Sequence, residues 1–258
     1  MNGDMQQVIA VVRLASGLIL AKGGETYRAE ETAVRIGNAF GYNMDIIAFP
    51  TGLTMTLSDG ENNASSIVRV SERTTDLLKL EQVNAISRRL AAHDMTLEEA
   101  CRQLKEISER PKPSLVRSVA AAGGTAAGFA VMFGGGLIEF VVAGIIGALV
   151  QLTISRLPDQ EGLPLSCLVG GFMAAALTIL AVSVVGRGNI SLIVWSIMMP
   201  LLPGLAFTNG IRDSMHGDMV SGGARISDAV MRAIVLAAGA GVAMWAYIQL
   251  GGSVTWSL

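Results

Sequence analysis

Apolar residues in the second half of the chain run in blocks of membrane-crossing length, whereas those of the first half alternate with polar ones. Crossing a bilayer core takes about 20 apolar residues. Five such blocks are present, at 115–133, 136–154, 164–186, 189–210 and 226–250. Gly134, Gly135 and Gly136 join the first two as a tight hairpin. A loop over 155–162, with Arg156, Asp159 and Glu161, joins the second and third. Gly186-Arg187-Gly188 links the third and fourth, and a polar stretch links the fourth and fifth.

The first half has shorter periods. Val8, Ile9, Val12, Ala15 and Ile19 recur at helical spacing over 5–22, and Arg13 marks that helix as amphipathic. A second helix over 26–40 stops at Gly41. Strands are expected at 43–49, 53–58 and 64–70, with turns at Pro50-Thr51-Gly52 and Asp59-Gly60-Glu61-Asn62. Helices follow at 76–92 and 97–109, the latter opened by a capping box of Thr96 and Glu99. The expected fold is an α-helical membrane protein of about five transmembrane helices, preceded by a small ααβββαα cytoplasmic domain.

Charge sharpens the division. Residues 1–113 hold 13 of the 19 Lys+Arg and 15 of the 21 Asp+Glu, and residues 114–258 have no lysine. Pro111-Lys112-Pro113 reads as the linker, giving domains 1–113 and 114–258. A net charge of −2 leaves no nucleic-acid footprint. Cys101 and Cys167 fall in different halves, so no disulfide is expected. No cleavable leader is read at the N-terminus, where 1–21 is only mildly apolar. Placing the N-terminal domain inside puts Arg110, Lys112, Arg117, Arg156, Arg212 and Arg225 on the cytoplasmic side and only Arg187 outside. Trp195, Trp245 and Tyr247 then fall at the outer interface, and the C-terminus with Trp256 lies outside. The expected location is the cytoplasmic (inner) membrane, in a multi-pass arrangement.

Candidate chemistry concentrates after the fourth block. Pro200, Pro203 and Gly204 break an apolar helix, and such breaks are tolerated where they line a cavity. Thr208 and Asn209 supply uncharged donors and acceptors. Arg212 can hold a carboxylate in two prongs. Asp213 or Asp218 can neutralise an ammonium or carry a proton. The alternative is a structural ion-pair cluster of Arg212, Asp213 and Arg225 gripping a loop. Glu139, a few residues into the second block, is a second intramembrane candidate, or simply reaches the interface. Asp228 and Arg232 are spaced as a helix ion pair. In the first half, Glu25, Arg28 and Glu30 form either a ligand site or helix-capping surface charge. His93 and His216 are isolated, and no metal site, cofactor motif or nucleophile–base pair is expected, so the chain does not read as an enzyme.

Three stretches resemble the threonine/serine exporter family: GGETYRAEE at 23–31, FPTGLTMTLSDG at 49–60 and PLLPGLAFTNGIRDSMHGDMVSGGAR at 200–225. The resemblance implies that the family's soluble motif falls on Glu25, Arg28, Glu30, Pro50 and Thr51. Its membrane signature falls on Pro200, Pro203, Gly204, Thr208, Asn209, Arg212, Asp213, Gly217, Asp218, Gly222 and Arg225. Family members come as one long chain with two membrane halves or as two separate chains, and this sequence resembles the first half only. The resemblance therefore implies a smaller membrane partner of the second-half type, or a homo-oligomer. It also implies proton-driven export of threonine and serine, with dicarboxylate (succinate-type) export as an alternative substrate class. Membrane lipid is the remaining expected partner. A membrane-anchored sensor or enzyme acting through the soluble domain is the reading from a different class.

Overall fold

The computed structural model describes residues 5–71, 73–111, 113–157 and 164–252. Lys112, Asp159, Glu161 and Trp256, named above, lie outside them. The chain divides into two compact units: Met1–Pro111 with Leu205–Ser227, and Lys112–Gly204 with Asp228–Leu258.

The first unit is built around helix α1 (Met5–Ala21), which buries Val8, Val12, Ala15 and Ile19 on one side and Val11, Leu18 and Leu20 on others. α2 (Thr26–Ala39), α3 (Leu77–Ala91) and α4 (Leu97–Glu109) pack on it, together with an antiparallel sheet in the order β1-β2-β3. Its strands are Asn43–Phe49, Gly52–Ser58 and Asn63–Arg69. β2 alternates faces, so Leu53, Met55 and Leu57 enter the core while Thr54 faces out. Pro50-Thr51 make the two-residue turn between Phe49 and its partner Gly52. Asp59 Oδ1 accepts from the Glu61 and Asn62 amides at 3.0 and 2.7 Å to close the second turn. Thr96 caps α4 by accepting from Glu99 N at 3.2 Å. The Glu99 carboxylate accepts instead from Arg102 Nε (3.1 Å) and Gln103 Nε2 (2.6 Å). Lys79, only 6% exposed, donates to the carbonyls of Ser108 and Arg110 and so closes the end of α4.

The second unit contains α5 (Leu115–Met132), α6 (Leu137–Ile154), α7 (Leu165–Val185), α8 (Ile190–Met198) and residues 228–249 of α10 (Met219–Gln249). Among the described residues, four helices are long and apolar enough to cross a membrane: α5, α6, α7 and α10. A fifth is added if the broken pair Ile190–Leu201 and Gly204–Met215 counts as one span. Their outer faces carry Leu149, Phe172, Leu180, Val184 and Trp245, as lipid-facing helices do.

Two differences from the sequence expectation concern these helices. α10 starts at Met219 rather than near 226, and α9 (Gly204–Met215) continues past 210, so the polar link shrinks to His216-Gly217-Asp218. Gly217, at φ +97°, ends α9 in the left-handed region, and Asp218 N reaches back to Asp213 O at 2.9 Å. Small residues recur every four positions at Ala120, Gly124 and Gly128, at Ala143 and Gly147, and at Ala237 and Gly241, and only some of them meet a neighbour: Ala143 is buried, and a Cβ on Gly147 would sit 2.7 Å from Ala126 Cβ of α5. Gly124, Gly128 and Gly241 face open space. α7 and α10 approach at glycines outside the repeats, where a Cβ on Gly171 would sit 2.1 Å from Leu236 O, and one on Gly239 2.2 Å from Leu168 O. A repeat gives the spacing of small residues but not the side of the helix that meets a neighbour.

Gly171→Val is therefore expected to wedge α7 off α10 and to cost about 1–3 kcal/mol. Gly124→Val, facing open space, should change the melting of the solubilised protein little. Equal melting of the two variants would disprove the packing.

Candidate functional site

Helix α2 opens with free amides that need acceptors. Glu25 holds its N-cap position in an extended conformation, yet the Glu25 side chain makes no cap bond. The cap comes from 187 residues away: Thr26 N donates to Asp213 Oδ1 of α9 at 3.0 Å. Thr26 Oγ1 donates to Asp218 Oδ2 at 3.3 Å. Two carboxylates at a helix N-terminus are also favoured by the helix dipole.

All these residues belong to the first unit, which takes in Leu205–Ser227 along with the N-terminal domain. Asp213 has no solvent exposure, and its Oδ2 faces Arg225 Nε at 3.0 Å. Those two atoms meet as charges, outside hydrogen-bond alignment. Arg225 also donates through Nη2 to Gly24 O at 2.7 Å, and Asn209 Nδ2 donates to Gly23 O at 2.8 Å. Arg212 Nη1 donates to Glu25 Oε1 at 2.9 Å, with Arg28 3.8 Å from the other Glu25 oxygen. Ser221 Oγ donates to Ala48 O at 3.3 Å, and Glu30 Oε1 accepts from Ala48 N at 2.7 Å. Burial pushes the Glu30 carboxyl above the ordinary carboxylate range. The Ala48 hydrogen bond opposes this, and the nearby Asp218 and Asp213 carboxylates add to it.

The structure thus brings the soluble motif Glu25, Arg28 and Glu30 together with Asn209, Arg212, Asp213, Asp218 and Arg225. Thr208 lies on an exposed part of α9. Pro50 is buried in the hairpin turn, and Thr51 O accepts from Val70 N. Pro200 sits in a single 3-10 turn (Met199–Leu201) after α8, Leu202 and Pro203 separate that turn from α9, and Gly204 opens α9. Glu139 is in the second unit, where it accepts from Gly136 N (2.9 Å) and Asn189 N (3.1 Å), tying the α5–α6 turn to the start of α8. Asp228 and Arg232 pair at 3.0 Å on α10. Among the described residues, no cluster of His, Cys, Asp and Glu could hold a metal.

Sequence reasoning passed over Ser221 and Tyr27 and took His216 as isolated. Ser221 carries no signature. Tyr27 and His216 stack in parallel, centroids 3.9 Å apart, and His216 Nδ1 lies 2.9 Å from Arg212 O. Nothing local links residues so far apart along the chain.

Helices of spanning length define a multi-pass membrane protein. A family model described as "Putative threonine/serine exporter" matches residues 10–247, and the chain belongs to that family. A relative from Mycobacterium tuberculosis, described as "Probable threonine/serine exporter", is 26% identical over 226 residues. The match covers 85% of this chain and 42% of that relative, so the chain spans less than half the relative's length. No solved structure matches.

Asp213→Ala should leave Arg225 buried and unpaired and lower stability by about 3–5 kcal/mol. Adding Arg225→Met should recover part of that. Arg212→Ala removes a pair whose arginine is 55% exposed, so its cost should stay under about 1 kcal/mol. Denaturant unfolding of the solubilised chain measures all three, and a mild Asp213→Ala effect would contradict the cap.

Proposed function

We propose that this chain exports small hydrophilic amino acids, threonine and serine first among them, across the cytoplasmic membrane by secondary transport coupled to protons. The observation that carries this reading is the network at α2, α9 and α10. It sets acid and arginine side chains side by side in the stretch that bears the family's polar signature. A zwitterion needs one group of each sign. The name of the Mycobacterium tuberculosis relative supports the same substrate class. The N-terminal unit lies on the cytoplasmic side, as the positive-residue bias favours. The chain works with a second membrane polypeptide of the same family or with a further copy of itself.

Glu30 is the proposed proton site. Its half-buried carboxyl faces Asp213 and Asp218, with Arg225 paired to Asp213. A raised folded pKa means that protons bind the folded state more readily. The stability Glu30 contributes is therefore present at low pH and lost as pH rises through its folded pKa.

The test is efflux of labelled threonine, serine or succinate from proteoliposomes under an imposed pH gradient, with the chain alone and with whatever membrane protein co-purifies. Threonine and serine efflux that a protonophore abolishes is expected, and Glu30→Gln should flatten its pH dependence while leaving the protein folded. Efflux of succinate alone would move the reading to dicarboxylates. Unchanged pH dependence in Glu30→Gln would remove Glu30 from coupling.

A further inference from the structure

Not every charge in this network is equally available. Asp213 is sealed from solvent by Thr26 and Arg225. Asp218 accepts from Thr26 Oγ1, and Glu30 from Ala48 N. Glu25 differs from all three. It stands at the N-cap of α2 but leaves the capping to Asp213, and its carboxylate is spent on two arginines. The Glu25 side chain is 6% exposed, whereas those of Arg212 and Arg28 are 55% and 46% exposed. The acid therefore forms a floor and the arginines a rim that can swing into water at small cost.

We infer that Glu25 and Arg212 are the two halves of an α-amino acid site, closed in this structure by their own ion pair. The inference rests on the amino-acid reading above and names the residues that impose it. An α-amino acid carries its ammonium and carboxylate on one carbon. A single molecule replaces both partners: the ammonium takes the Glu25 carboxylate, and Arg212 turns its planar fork to the substrate carboxylate. The stacked Tyr27 and His216 stand two residues past Glu25 and four past Arg212 along the chain, and His216 Nδ1 lies 2.9 Å from the Arg212 carbonyl oxygen. Glu25 also sets specificity by repulsion. A dicarboxylate meets two rim arginines, but one of its charges must then approach a buried, permanently placed carboxylate.

The test pairs side chains with substrate groups. Binding of L-threonine is measured on the full chain in nanodiscs by calorimetry. It is compared with 3-hydroxybutyrate, which lacks the amino group, 1-amino-2-propanol, which lacks the carboxylate, and succinate. The wild-type chain should bind threonine about tenfold or more tightly than either analogue, the scale of one charged hydrogen bond. Glu25→Gln should erase the preference over 3-hydroxybutyrate and improve succinate binding. Arg212→Gln should erase only the preference over 1-amino-2-propanol. Because Arg212 is half exposed, its variant tests the proposal even if Glu25→Gln fails to fold. Threonine binding that both variants leave unchanged, or weaken by the same factor for every ligand, makes the pair structural and overturns the proposal while the amino-acid reading stands. A folded wild-type chain that binds succinate but not threonine, or that binds none of the four even together with the membrane protein that co-purifies with it, overturns both.

Discussion

One carboxylate organises the first unit. Asp213, without solvent contact, accepts from the first amide of α2 and faces the buried guanidinium of Arg225, which in turn holds the Gly24 carbonyl. Remove that carboxylate and two groups lose their partners together, the start of α2 and the Arg225 guanidinium, which also holds the Gly24 carbonyl. A fully buried charge is costly unless it is paired and hydrogen-bonded, and here both conditions are met by residues from opposite ends of the chain. The spatial order of Glu25, Glu30, Arg212 and Asp218 follows from it, because each lies within a turn or so of a residue that Asp213 fixes.

The same arrangement separates rigid from exchangeable chemistry. Around Asp213 the contacts are short and dry. At its edge, Arg212 and Arg28 reach Glu25 from the solvent side. Position and specificity are thereby assigned to different side chains, so a ligand can open the outer pair without dismantling the inner one. α9 is arranged to suit: Asn209, Gly210 and Asp213 are buried, while Leu205, Phe207, Ile211 and Met215 remain exposed. That polarity is inverted relative to a helix in a water-soluble protein and suits an apolar surround.

Periodicity and turn chemistry made most elements legible. The strand alternation in Leu53, Met55 and Leu57, the Pro50-Thr51 turn and the Thr96 cap are local facts, and local residues encode them. The break after Met198 is likewise written in Pro200 and Pro203. The side of a helix that meets a neighbour is not local, which is why Gly171 and Gly239 make the close contact and Gly124 and Gly241 do not. The capping of α2 is the extreme case. Glu25 and Thr26 look like a self-sufficient helix start, and the acid that caps it stands 187 residues later. Charges such as Arg212 and Asp213 show in a sequence as candidates, but their partners are set by long-range folding.

The make-up of the first unit also fixes an order of events during synthesis. Its two stretches, up to Pro111 and from Leu205, are separated by the helices α5 to α8. At roughly 5–20 residues per second, the ribosome takes on the order of 5–20 s to travel from one to the other. Throughout that interval α2 has no cap and the Gly23 and Gly24 carbonyls have only water. The N-terminal domain therefore reaches its final form only after the intervening apolar segments have left the ribosome. Completion of this buried network reports that the chain has been made through Arg225.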